Sequence, residues 1–173
     1  MGLAIKNDEA NFEKVRAAWE EQREANAMRN PATLRALLEA EKASGIHGAN
    51  GALADPSAAI ALVWMRRSLK FQNAIFEGMV ADKAGQTSAI AREAYKDNLE
   101  GYHNFWLKNT FRAGLSAIPK RDDFLIRLGP GLGESEREAV VYPEMSELVE
   151  VQNQVSSLLG GMLVEFDFEE KGK

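Results

Sequence analysis

Two stretches decide the fold: AYKDNLEGYHNFWLKNTFRAGLSAIPKRDDFL at residues 94–125 and ALVWMRRSLKF at residues 61–71. In both, apolar residues recur at steps of three and four, which predicts amphipathic helices. Each apolar row also holds one side chain with a polar tip, His103 in the first and Trp64 in the second. A polar group in such a row is either a satisfied part of the core or a contact for a ligand.

Helical periodicity extends over almost all of the 173 residues, and no convincing pair of strands is present. We expect helices over about 7–26, from the Asn30 cap and Pro31 onward, from Asp55 and Pro56 to about 79, and over 87–118, 121–127, 135–141 and 144–162. Pro143 separates the last two helices in this prediction. The chain is therefore predicted to form one all-α domain over residues 1–173, a sandwich or bundle of helices.

Composition and charge exclude several classes of protein. The chain has 45% apolar and 27% charged residues, and no run approaches the ~20 apolar residues that cross a bilayer. Because it also begins without a secretory signal, we expect a cytoplasmic protein. The lack of cysteine excludes disulfides and thiolate sites, and the net charge of −5 argues against a nucleic-acid partner. The two histidines form no catalytic or metal-ligand pattern, so we expect no enzyme, cofactor or metal ion.

His103 and Trp64 each have a structural and a functional interpretation. A helix over residues 87–118 would align on one stripe Tyr95, Leu99, His103, Leu107 and Phe111. His103 then stands where leucine would be expected, and its neutral imidazole can serve a core carbonyl or donate to a ligand carbonyl. Trp64 is a core residue by default, although an indole face can also stack on a sugar ring.

A third group of polar residues lies near the chain start. Asn7, Asn11 and Lys14 follow steps of four and three, so they share one face of the first helix, with Asp8 beside them. Amide and ammonium groups can exchange hydrogen bonds with several hydroxyls. The simpler interpretation is a solvated face, because polar stripes on terminal helices usually face water.

Basic and aromatic residues complete the candidate surface. We expect at the surface the basic residues Arg66, Arg67, Lys70, Lys120 and Arg121, where anionic lipid headgroups are a conceivable target. Phe105 and Trp106 are adjacent in sequence, so at least one of them cannot lie on the buried stripe. That residue is expected to face outward, as aromatic residues at a membrane interface do.

The order and spacing of several short motifs resemble those of the glycolipid transfer protein family. The motifs are NDEANFEKVRAAW, NPATLRALLEAEK, ALVWMRRSLKF, YHNF and SAIPKRDDFL, and the resemblance runs from about Asn7 to about Leu128. It implies an all-α, two-layer helical sandwich that binds a glycosphingolipid, with the headgroup at the surface and the ceramide chains in an apolar tunnel. It also implies lipid transfer between membranes by a cytoplasmic protein that touches them transiently.

Site residues are implied by the same resemblance. The headgroup site would consist of Asn7, Asp8, Asn11, Lys14, Trp64 and His103, with Trp64 as the platform for the first sugar and His103 on the ceramide amide carbonyl. The hydrocarbon pocket would be lined by Ile60, Phe71, Phe111, Leu115, Phe166 and Phe168. Membrane docking would fall to Phe105 and Trp106.

Three departures from the family pattern qualify these expectations. Asn7 stands in place of the family's headgroup aspartate and Phe166 in place of a tyrosine. The family also has a helix ahead of the headgroup motif, and this chain starts almost on the motif, so we expect a sandwich without the usual first helix. Apolar surface would then be exposed. Either self-association covers it, or the sequence is shorter than the full protein, or transfer is impaired.

Two other functions compete with glycolipid transfer. The ceramide-1-phosphate branch of the family carries lysine at the position of Asn11 and arginine at those of Trp64 and Ser68, and none of these is present. This branch is therefore the second choice. A sphingolipid sensor or scaffold that does not transfer its ligand stays open, because the expected loss of a helix could impair transfer.

Overall fold

The computed structural model describes residues 2–26, 33–48 and 52–169. The regular elements in these ranges are all helices, joined by turns and loops. The helices are α1 Gly2–Asn26, α2 Leu34–Ser44, α3 Ala58–Ala81, α4 Thr87–Asn98, α5 Phe105–Leu115, α6 Arg121–Leu128 and α7 Glu134–Glu165, with a 3₁₀ turn at Glu100–Tyr102. The prediction of an all-α fold is confirmed. Within the described ranges no helix is long and apolar enough to cross a membrane.

The chain divides into two compact units. We call Arg67–Val155 the central unit, and Gly2–Arg66 together with Ser156–Lys173 the terminal unit. Helices α3 and α7 each contribute residues to both units. The single domain expected over residues 1–173 stays a prediction.

Helix α2 in the terminal unit begins later than the sequence predicted. Its cap is Thr33, whose hydroxyl accepts a hydrogen bond from the Ala36 N–H at 3.1 Å. The cap predicted at Asn30 and Pro31 lies outside the described residues, and the helix starts at Leu34. At its other end Gly45 adopts a left-handed conformation with φ of 69°, which glycine tolerates best.

The cap predicted for α3 is wrong. Asp55 does not cap this helix; the hydroxyl of Ser57 accepts from the Ile60 N–H at 3.1 Å. The buried carboxylate of Glu41 accepts from the N–H groups of Ala58 and Ala59 at 2.5 and 2.8 Å. An anion is favoured at this end of a helix because the free N–H groups and the helix dipole are both positive there.

Arg66 is not the surface residue that the sequence suggested. Its Nε donates to the carbonyl of Ser156 at 3.1 Å, and its Nη1 pairs with the Glu169 carboxylate at 2.6 Å. A Cβ added to Gly160 would lie only 2.6 Å from the Arg66 Nε, so the guanidinium needs the space that glycine leaves. Arg66 therefore joins α3 to the carboxyl-terminal part of α7 within the terminal unit.

The predicted helix over 87–118 is interrupted in the central unit. Helix α4 ends at Asn98, the 3₁₀ turn follows, and α5 begins only at Phe105. The Asn104 side chain accepts from the Leu107 N–H at 2.9 Å, so it starts a new helix instead of continuing the old one. Gly101 also weakens a continuous helix at this point, because glycine costs about 1 kcal/mol relative to alanine in a helix interior.

At Pro143, by contrast, a predicted interruption is absent from the structure. The predicted break there is wrong, and α7 runs uninterrupted from Glu134 to Glu165. Proline removes one hydrogen bond from a helix, but packing on both sides can offset the loss. Val141, Tyr142 and Met145 flank the proline and are buried in the core cluster of the central unit, which favours a continuous helix.

Arg121 is half-buried beside this core cluster instead of fully solvated. Its Nη1 donates to the Met79 carbonyl at 2.8 Å and to the Tyr142 hydroxyl at 3.0 Å. Its Nη2 donates to the carbonyls of Asp82 and Gly85 at 2.6 and 3.0 Å. One guanidinium thus satisfies carbonyls at and beyond the end of α3, where helices leave them unpaired.

Arg121→Met should lower the free energy of unfolding by about 3 kcal/mol, because several carbonyls lose a charged donor while the apolar stem is largely kept. Urea denaturation followed by circular dichroism measures the effect. Arg127→Met is the matched control, since Arg127 is exposed on the same helix, and a surface change of this kind should alter stability by less than about 0.5 kcal/mol. Similar losses in the two variants would contradict the capping role.

Candidate functional site

The polar face of α1 is buried at its centre. Asn11 is 3% exposed, whereas its neighbour Phe12 is 61% exposed, the reverse of the usual order. The Nδ2 of Asn11 has no hydrogen-bond partner among the residues that the structure describes. The interpretation as a solvated face is therefore wrong for Asn11, although it holds for the exposed Asn7. A buried amide without a partner costs about 1–3 kcal/mol, so this donor suits a ligand acceptor.

Lys14 pairs with Asp55, a residue to which the sequence pattern assigned no role in the site. Its Nζ lies 2.6 Å from the Oδ1 of Asp55, on the loop before α3, and the two side chains are 28% and 62% exposed. The pair offers donor and acceptor atoms side by side in the terminal unit. Asp8, on the same helix as Lys14, is half-buried. No periodicity relates Asp55 to Lys14, because 41 residues separate them and only tertiary folding joins them.

Trp64 occupies an intermediate position on α3. Leu62 and Val63 beside it are almost completely buried, whereas Trp64 and Ile60 are half-buried. Trp64 is therefore neither a fully enclosed core residue nor a free surface residue. Part of the Trp64 side chain is therefore exposed to solvent.

His103 and two aromatic side chains form a cluster in the central unit. The Tyr95 hydroxyl lies 3.0 Å from the His103 Nδ1, and His103 is 8% exposed. The Phe111 ring stacks on Tyr95 at 4.9 Å with an interplanar angle of 12°, and its centroid is 5.2 Å from that of His103. Three members of the predicted stripe thus meet, although the helix is interrupted at His103. Leu107, from the same stripe, is 42% exposed.

The charge state of this cluster follows from burial. Burial first, and the charge of Lys108 second, lower the pKa of His103 below its ordinary value of 6.5, so the imidazole is neutral at neutral pH. Burial and Glu100 raise the pKa of Tyr95, so its hydroxyl keeps its proton. When that hydroxyl donates to Nδ1, the single imidazole proton lies on Nε2, which becomes a donor. Tyr95 shared the predicted stripe but received no role from the sequence.

The predicted pocket residues fall into both units. Phe71 and Leu115 are buried in the central unit, and the Phe71 ring meets the half-buried Phe111 edge-on at 5.8 Å. The ring centroids of Phe166 and Phe168 lie 6.3 Å apart in the terminal unit. Phe168 adjoins a pocket of about 320 Å³ lined by Lys42, Gly45, His47, Gly48, Leu53, Asp167 and Phe168. This pocket is polar at one side, where the Lys42 Nζ lies 3.2 Å from the Asp167 carboxylate.

Phe105 and Trp106 are both exposed in the first turn of α5. Their exposed fractions are 69% and 79%, and the rings meet edge-on at 5.8 Å. Sequence adjacency required only one of them to face outward. Two large aromatic side chains side by side at the surface have the chemistry of an interfacial anchor.

The lowered pKa of His103 predicts how stability depends on pH. The folded protein binds its proton less readily than the unfolded chain, so this contribution is present above pH 6.5 and is lost as pH falls through the folded-state pKa. His103→Gln should therefore flatten the fall in unfolding free energy between about pH 7.5 and 5.5, where the slope cannot exceed about 1.4 kcal/mol per pH unit for one proton. Urea unfolding at half-unit pH steps measures the slope.

His47→Gln is the control for that experiment, because it removes the other histidine and leaves the Tyr95 contact intact. A flattening that is larger in His103→Gln than in His47→Gln would assign the slope to the buried imidazole beside Tyr95. An unchanged slope in His103→Gln would show that the imidazole is not held neutral by the fold.

Comparisons with known proteins agree with this helical fold. The model of a family described as glycolipid transfer protein (GLTP) matches residues 1–130. A glycolipid transfer protein from Danio rerio is 32% identical over 142 residues, which cover 79% of this chain and 64% of that protein. The chain spans 60% to 68% of the length of the curated relatives it matches.

Solved structures show the fold. The crystal structure of HET-C2, a fungal glycolipid transfer protein, has a TM-score of 0.72 at 21% identity and covers 96% of this chain and 75% of its own. Mouse ceramide-1-phosphate transfer protein in its apo form has a TM-score of 0.75 at 16% identity, covering 95% of this chain and 76% of its own. The predicted all-α fold of the glycolipid transfer protein type is therefore confirmed. Because proteins named for glycolipid and for ceramide-1-phosphate transfer share it, the fold alone does not show which of these lipids is bound.

The family model covers most of the chain, and its members are lipid transfer proteins and not enzymes. The expectation that this protein is not an enzyme is confirmed on that ground. The buried amide on α1, the half-buried indole on α3 and the histidine beside Tyr95 lie within the matched residues. The chain belongs to the glycolipid transfer protein family.

Proposed function

We propose that this protein binds a glycosphingolipid and transfers it between membranes. The observation that carries the proposal is the buried, unpartnered amide nitrogen of Asn11 in a chain of this family. Folding alone does not favour such a donor, since alanine would remove the cost of burying it. A ligand oxygen that accepts from Nδ2 would recover the lost hydrogen bond.

Sugar hydroxyls match the groups around this amide. A hydroxyl donates and accepts at once, and here Asn11 and Lys14 supply donors while Asp55 supplies an acceptor. We assign the charged acceptor to Asp55 in preference to Asn7 or Asp8, because Asp55 already lies against Lys14. Charge-assisted hydrogen bonds are roughly twice as strong as neutral ones, so the carboxylate compensates for the amide at Asn7.

The remaining parts of the ligand have their own proposed contacts. Trp64 would stack on the first sugar, and the His103 Nε2–H would donate to the ceramide amide carbonyl while Tyr95 orients the ring. The acyl chains would be held by Ile60, Phe71, Phe111, Leu115, Phe166 and Phe168. Phe105 and Trp106, both exposed, would dock a cytoplasmic protein on a membrane for the time that transfer takes.

The side-chain chemistry disfavours ceramide-1-phosphate. Clamping a phosphate needs free cationic side chains, but Lys14 is paired with Asp55 and Arg66 with Glu169. The Arg67 guanidinium lies 3.6 Å from the centroid of the Tyr102 ring. Ser68 stands where that branch has an arginine. A lipid sensor without transfer activity is the third candidate, and it predicts binding without movement between vesicles.

A vesicle transfer assay with fluorescent glucosylceramide and fluorescent ceramide-1-phosphate tests the proposal. Glucosylceramide should be preferred by at least about tenfold, or ~1.4 kcal/mol. Trp64→Ala should weaken glucosylceramide binding by about 1–3 kcal/mol, or ~5- to 150-fold, because a stacking face is lost. Trp19→Ala is the matched control in the same unit. Equal or faster transfer of the phosphate lipid would reverse the order of the two candidates.

The carboxylate assignment has a separate test. Asp55→Asn should weaken glucosylceramide binding about tenfold, because a charged acceptor contributes roughly 1.5 kcal/mol. Asn7→Asp should change binding much less, since Asp55 already supplies the charge. Asp97→Asn, exposed on α4, changes the net charge equally and should have no effect. Binding to lipid in nanodiscs measures all three, and a larger effect at Asn7 would place the acceptor there.

A further inference from the structure

Four aliphatic side chains on α7 remain exposed. They are Leu148, Val151, Val155 and Leu158, with exposed fractions of 43%, 57%, 43% and 70%. Their spacing of three, four and three residues places them along one side of the helix. We call these four residues the α7 stripe.

The α7 stripe extends the apolar face of the helix beyond the part that the fold buries. Val149, Ser156 and Leu159 are buried, and each follows a stripe residue by one position, or about 100° of rotation. Between Val151 and Val164 the sequence has no charged residue. An uncharged, exposed helix face over several turns is unusual in a protein with 27% charged residues and is typical of an interaction surface.

We propose that the α7 stripe is the contact surface of a homodimer in which two α7 helices pack antiparallel. The order leucine, valine, valine, leucine and the spacing three, four, three are the same in both directions. A two-fold axis near residue 153 therefore sets Leu148 opposite the partner's Leu158 and Val151 opposite the partner's Val155. Such a self-complementary patch is what a two-fold interface requires.

Charge favours this direction of packing. Glu147 and Glu150 are exposed beside the stripe. In a parallel pair each would lie near its own copy, and like charges destabilise such contacts. In the antiparallel pair these carboxylates fall opposite residues 156–159, which are uncharged. The amino-terminal positive end of each helix dipole also meets the negative end of its neighbour.

A second copy fits the stripe better than a membrane does. From residue 138 to residue 165, α7 has no lysine or arginine, and it carries several glutamates. Surfaces that bind anionic membranes normally combine apolar residues with basic ones. The dimer needs no lipid for its contact, so the inference does not rest on the proposed function.

Sedimentation equilibrium of the full chain tests the association. The wild-type protein should be dimeric at tens of micromolar, and Leu158→Glu should raise the dimer dissociation constant by at least about tenfold, because two carboxylates would be buried in an apolar contact. Ile126→Glu is the matched control, since Ile126 is also exposed, at 47%, and lies on α6. It should leave the constant unchanged, and circular dichroism should show both variants folded.

Cysteine cross-linking tests the register without a change of charge. The chain has no cysteine of its own, so Leu148→Cys and Leu158→Cys each introduce a single thiol. In this antiparallel register, Leu148 of one chain lies ten residues, or about 15 Å along the helix, from the same position of the second chain, and the same holds for Leu158. A disulfide spans only about 4–7 Å between Cα atoms. Neither variant should cross-link alone, and an equimolar mixture should form a mixed disulfide dimer.

Several results would overturn the proposal. These are a wild-type protein that is monomeric at the highest concentration reached, a dissociation constant unaffected by Leu158→Glu, and cross-linking of Leu148→Cys with itself, which indicates a parallel pair. A monomer whose binding to phosphatidylserine vesicles is lost in Leu158→Glu but kept in Ile126→Glu would assign the stripe to membranes instead.

Discussion

The placement of α3 depends on one buried anion, the carboxylate of Glu41 at the amino end of the helix. A buried carboxylate without compensation costs several kcal/mol, and here two backbone N–H groups and the helix dipole offset that cost. The contact settles where the helix starts, and a start displaced by one residue would turn every later side chain by about 100°. The half-buried position of Trp64, six residues after the start of the helix, depends on this phase. Asp55 lies three residues before the helix, so the same contact also governs the partner of Lys14.

Local patterns predicted the parts of this structure that depend on neighbours in sequence. Apolar spacing predicted the helical class and the limits of α6 to within about one residue. The short motifs around Trp64 and His103 indicated the family, which the comparisons confirm. The exposure of Phe105 and Trp106 was predicted in part, because two adjacent residues cannot share one helix face.

Side-chain hydrogen bonds account for most of what the sequence did not predict. The interruption before α5 depends on whether Asn104 bonds to its own backbone, and apolar periodicity carries no information about that choice. The continuity of α7 through Pro143 depends on tertiary packing of Tyr142 and Met145. Arg66 and Arg121 were expected at the surface because charge is usually solvated, yet each satisfies carbonyls that no local pattern reveals. The carboxylate beside Lys14 likewise comes from a loop distant in sequence.

The interruption between α4 and α5 also affects how this part of the chain can diverge. In a continuous helix an inserted residue rotates everything downstream by about 100°, so a binding residue and the aromatic pair after it could not vary independently. Here His103 is oriented by Tyr95 from before the interruption, while Asn104 sets a new helical phase for Phe105 and Trp106. Substitutions at Phe105 and Trp106 that keep the phase of α5, and so the position of Phe111 against His103, can therefore reshape the exposed aromatic end without turning the histidine away. The junction separates two traits that selection can then alter one at a time.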